Sequence, residues 1–137
     1  DTHSIQFNDL RALLLEIEVF VVAFFLAIQE RWLGSDVTLF TASDFGRTLA
    51  INGDGTDHGW GSHHFVIGEA VQGGRIYGDI PPYDFGHDQD AGSGRLIPTT
   101  SVEQFAEPLG RWFGLSDSEI AAALPNLSNF GAGPAFV

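Results

Sequence analysis

The sequence predicts an α/β fold, and three observations carry that prediction. A helix-favouring run covers about residues 8–33, short apolar and β-branched runs stand at 37–40 and 64–67 between Gly-rich segments, and two capping boxes lie near the C-terminus. At 137 residues and 14.8 kDa the chain has the size of a single domain, or of the C-terminal fragment of a larger one.

The elements follow in order. Asn8 is a plausible N-cap, no Gly or Pro interrupts the next 25 residues, and Gly34 stands where a helix commonly stops. This helix is unusually apolar. Val19 to Ile28 contains no polar residue, but Arg11, Glu16, Glu18, Gln29, Glu30 and Arg31 flank it closely. The polar-free run is therefore far shorter than the ~20 residues of a membrane span, and the expectation is a helix buried against a sheet, with no transmembrane span. Its wide Phe20, Phe24, Phe25 surface also suits packing against a partner segment.

Val37–Phe40 reads as a buried strand, and Thr41–His64 as the loop leaving its C-terminal end, where open α/β sheets place ligands. Within this loop Asp44, Asp54 and Asp57 accompany His58, His63 and His64, and Gly53, Gly55, Gly59 and Gly61 permit tight bends. Carboxylates mixed with imidazoles suit a divalent cation such as zinc or manganese. Asp44 is the leading candidate by position, and Arg47 is the nearer of two arginines able to hold a phosphate or sulfate in a bidentate fork. Adjacent side chains diverge in an extended chain, so Asp57 and His58 are not expected to share one ion.

A short extended piece is expected after Gly73-Gly74, and 81–94 reads as an exposed loop. Ser101 with Gln104 and Ser116 with Glu119 form capping boxes that open two short helices, the second closed by Pro125. The tail from Asn126 to Val137 is expected at the surface.

Composition excludes several functions. All six cationic residues are Arg, against 18 acidic residues, giving a net charge of −12. Nucleic acid and anionic membranes need clustered positive charge, so no nucleic-acid partner is expected. Zero Cys removes disulfides, thiolate metal sites and thiol nucleophiles. The P-loop, nucleophile-elbow and HExxH signatures are lacking, and Asp54 and Asp57 are misspaced for an EF-hand loop.

Taken in order, Asp1-Thr2-His3, Ser43-Asp44-Phe45-Gly46-Arg47-Thr48, Asp57-His58-Gly59-Trp60-Gly61 and Gly73-Gly74-Arg75-Ile76-Tyr77-Gly78 carry a resemblance. The chain resembles the C-terminal third of a bacterial family of exported proteins of unknown function, commonly bearing twin-arginine signals, grouped with the alkaline phosphatase and sulfatase superfamily. The resemblance implies the C-terminal part of an α/β/α sandwich. It further implies metal ligands at Asp1, His3, Asp44 and His58, one or two divalent ions (Zn, Mn, Mg or Ca), and an exported, periplasmic or extracellular location; Arg47, from its place beside Asp44, is the expected substrate-binding residue. The superfamily's nucleophile belongs to a front half with no counterpart in these residues. The expected function is therefore a metal-dependent phosphate or sulfate ester hydrolase-like protein, inactive as this chain alone and completed by an N-terminal segment or partner chain. The alternative is a non-catalytic structural or interaction subunit of an exported assembly.

Overall fold

The structure is a computed structural model and describes residues 2–137. It combines helices with short strands, as the α/β reading expects: one long apolar helix, four short strands and two short C-terminal helices. The elements are α1 (Gln6–Glu30), β1 (Thr38–Phe40), β2 (Gly46–Asn52), β3 (Gly55–Gly59), β4 (Val66–Gly68), α2 (Val102–Phe113) and α3 (Asp117–Ala123). They fall into two compact units, one running to Ala70 and taking in Pro81–Ile97, the other formed by Val71–Ile80 and Pro98–Val137.

In the first unit the strands pair antiparallel, β1 with β4 and β2 with β3, rather than delivering parallel C-terminal ends to one edge. Much of the stretch expected as a loop is therefore a hairpin. The physical reason is its turn: Asn52 pairs with Gly55, and Gly53 takes φ 67 at the first of the two central positions, where a tight hairpin needs positive φ. An irregularity between Arg47 and Ile51 shifts the register, so Arg47 pairs with His58 and Gly46 with Gly59.

The segment 81–97 is more structured than an exposed loop. Asp90 organises it: its carboxylate accepts N–H groups from Gly86, Gly92 and Gly94 at 2.8–2.9 Å. The Gly86 N–H above all holds the Asp90 carboxyl below its ordinary range. Backbone bonds then fasten the segment to the hairpin, from Leu49 N–H to the Gly94 carbonyl and from Gly61 N–H to the Leu96 carbonyl.

Helix α1 departs most from expectation. It begins after Ile5, not Asn8, and none of its residues is buried, so no sheet among the described residues covers it. With mean hydropathy 2.2 over an 18-residue window, α1 is long and apolar enough to cross a membrane by length and composition, as core helices and signal sequences also are.

The second unit holds the buried apolar side chains. Leu109 of α2, Ile120 of α3 and Phe136 of the tail form its core. Both capping boxes are present. The short piece 71–78 forms no strand, yet it docks: Gln72 N–H donates to the Phe136 carbonyl at 2.8 Å, and Tyr77 packs edge-on against Phe136. The tail lies at the surface as expected except at Phe136, which is only 3 % exposed. Polarity of the surrounding Gly, Asn and Ser residues hides one large apolar anchor.

Candidate functional site

The site builds outward from β2 and β3. Because Arg47 and His58 are cross-strand partners, their side chains share one face of the hairpin. The Arg47 guanidinium donates to the Thr56 carbonyl at 2.8 Å and lies 5.5 Å from the centre of the Phe45 ring. Phe45 stacks flat on His58, with centroids 3.7 Å apart at 13°, and His58 in turn stacks on His3 at 4.6 Å and 27°. Arg47, Phe45, His58 and His3 thus form one column of planar groups.

Residue 3 reaches β3 because Gly55 has no side chain. A Cβ at Gly55 would overlap the carbonyls of His3 and Thr2, so only glycine admits this approach. Two further bonds pin the start of α1 beside the hairpin: Gln6 N–H donates to the Asp54 carbonyl at 3.1 Å, and the Thr56 hydroxyl donates to Gln6 Oε1 at 2.9 Å. His3 Nδ1 is also 3.7 Å from Asp57 Oδ1, whose carboxylate accepts Asn52 Nδ2 at 2.7 Å. Both His3 and Asp57 are about half exposed, so this pair contributes little by itself.

Of the residues expected at a metal site, His3 and His58 are therefore brought together from positions 55 residues apart. Asp44 is exposed on the segment before β2, and Asp1 lies outside the described residues. Among the described residues no three His, Asp or Glu side chains form a group able to hold a metal ion. Stacking explains part of this. An imidazole binds a metal in its own ring plane at ~2.0–2.1 Å, and two nearly parallel rings aim their lone pairs along separate planes. The stacked pair does not fit as joint ligands of one ion. Residue type and spacing do not identify Phe45 and Asp57 as neighbours of these histidines; the Asn52-Gly53 turn signal is the clue, since it sets the register that aligns them.

The remaining histidines have local roles. His87 sits in the Asp90 segment, its Nε2 3.1 Å from the Pro82 carbonyl and its Nδ1 accepting Gln89 N–H at 3.1 Å. His64 Nδ1 lies 3.3 Å from the Thr41 hydroxyl, which accepts Phe65 N–H at 2.9 Å. Burial, and then the neighbouring His63, lower the His64 pKa from 6.5. The neutral ring is favoured in the fold, so the unfolded chain takes up the proton first as pH falls. The His64 contribution should be complete above pH ~6.5 and be lost as pH drops through the lowered folded value. Amide exchange in β1 and β4, corrected for its intrinsic pH dependence, should show opening become easier as pH falls through the range below ~6.5, and His64→Gln should flatten that dependence. An unchanged profile in the variant would remove His64 as its source.

These observations define a class: an acidic α/β chain whose hairpin carries stacked imidazoles, a phenyl ring and a guanidinium on one face. The chain belongs to the family described as "Protein of unknown function (DUF1501)", which it matches over residues 1–124. No curated protein and no solved structure matches it.

Proposed function

We propose that this chain is the C-terminal part of a protein resembling the phosphate and sulfate ester hydrolases, expected to be exported and to be completed by a further N-terminal segment. The observation that carries the reading is the meeting of His3 with His58 across the hairpin, with Arg47 paired opposite His58. Imidazoles and a guanidinium on one face suit an anionic ester: the guanidinium offers fixed donors to its oxygens, and imidazole exchanges protons near neutral pH. The ordered resemblance of Asp1, His3, Asp44 and His58 to superfamily ligands supports divalent-metal dependence. Such a site requires His58 to turn out of its stack, which is the conformational step this reading demands.

Calorimetric titration with Zn²⁺ and Mn²⁺ tests it. Binding should weaken in both His58→Ala and Asp44→Asn, by more than the ~10–100-fold that loss of an outer-shell partner costs. Affinity unchanged in both variants would discard the metal-site reading and favour the non-catalytic role.

A further inference from the structure

We propose that Asn52 is a site of spontaneous covalent modification, deamidation through a cyclic imide with Gly53, and that the product loosens the stacked column. The inference is independent of whether that column holds a metal. The chain has four asparagines, followed by Asp9, Gly53, Leu127 and Phe130. Imide closure requires the next residue's backbone nitrogen to reach the side-chain carbonyl carbon, and only Gly53 places no side chain in that path. The fold leaves the place open as well: Asn52 and Gly53 are both exposed, and a Cβ at Gly53 would meet nothing within 4 Å.

Water is the only co-reactant. The Gly53 nitrogen, its proton passing to solvent, bonds to Asn52 Cγ, and the Cγ–Nδ2 bond breaks to release ammonia. Water then opens the ring at either carbonyl, giving aspartate at one and, at the other, isoaspartate, whose main chain runs through Cβ and Cγ. Two features of the hairpin restrain closure. Asn52 is held extended at the end of β2 by pairing with Gly55, and its Nδ2 donates to Asp57 Oδ1 at 2.7 Å. Conversion therefore proceeds through local openings of the turn, with Asp57 as the latch. Either product removes that latch, because a carboxylate replaces the amide donor and faces Asp57, its diagonal neighbour across the strands, with like charge. Isoaspartate also adds a main-chain carbon three residues before Gly55, where the His3 and Thr2 carbonyls approach, and four before Thr56, which holds Gln6.

Peptide mapping by mass spectrometry, after the whole chain is held for days at mildly alkaline pH, provides the test. Amide-to-acid conversion at Asn52 should exceed that at Asn8, Asn126 or Asn129 by about tenfold or more, since only there does glycine follow. Asn52→Gln, whose longer side chain disfavours the imide, should stay unconverted. Asp57→Ala should convert faster than the parent, and Asp57→Asn, which keeps an acceptor oxygen, should convert at close to the parent rate. The converted chain, separated by its added negative charge on anion exchange, should show the His3 and His58 imidazole signals moved toward unstacked values. Asn52 left intact, whether or not another asparagine converts, overturns the modification. Equal rates in Asp57→Ala and the parent overturn the latch, and a converted chain with unchanged imidazole signals overturns the effect on the column.

Discussion

Gly55→Ala is expected to separate His3 from His58 and to detach the segment before α1 from the hairpin. The added methyl would occupy the place of the His3 and Thr2 carbonyls, and backbone cannot yield there as a flexible side-chain tip would. Thr2 is buried, so moving the segment also exposes a side chain that the fold covers. Overpacking of this kind costs about 1–3 kcal/mol. The stacked rings shift one another's resonances, so the imidazole C–H signals of both histidines should move toward unstacked values in the variant. Gly53→Asn is the matching control. Asn at Gly53, which meets nothing within 4 Å, adds backbone strain at φ 67 without displacing the His3 segment. The stack should survive Gly53→Asn. Imidazole signals in Gly55→Ala indistinguishable from those of the parent would show that glycine at 55 does not set the approach of His3.

Local chemistry is legible in the sequence, and long-range pairing is not. Ser101 and Ser116 mark their helices because a capping box is a contact between residues three apart. The partner of β1 is β4, with Thr38 opposite Gly68 and Phe40 opposite Val66, and no feature within either strand identifies the other. The Gly-rich content of 41–64 suggests an open loop, yet the same glycines serve a tight turn at Gly53 and close backbone approaches at Gly46 and Gly55. Apolarity of α1 suggests a buried helix because composition reports what a helix needs, not what the chain supplies. In the same way, Asp1, His3, Asp44 and His58 are grouped by their order along the chain. The fold joins His3 to His58 through stacking, an arrangement that ligand type and spacing do not encode.

Hydrolysis of aryl phosphate or aryl sulfate by this chain alone is expected to stay at the rate of the buffer blank, with Zn²⁺, Mn²⁺, Mg²⁺ or Ca²⁺ present. Ester hydrolysis by covalent catalysis needs a nucleophile whose proton a base can take, held at near-attack distance from the bound ester. Hydroxyls near the stacked column spend their protons elsewhere. Ser43 donates to the Phe45 carbonyl, Thr48 to the Ala50 carbonyl and Thr56 to Gln6 Oε1, each at 2.9 Å. Thr48 is further fixed by accepting Asp57 N–H at 3.2 Å, and it is 5 % exposed. To act, each would have to break a bond that holds the hairpin or its helix in place. Positioning and activation together supply most of the rate enhancement of such enzymes, so their absence removes many orders of magnitude rather than a fraction. A chromogenic assay over hours at high protein concentration reads this directly. Turnover above the blank that disappears in His58→Ala would show that the chain carries its own nucleophile, and would overturn the proposal that a further segment supplies it.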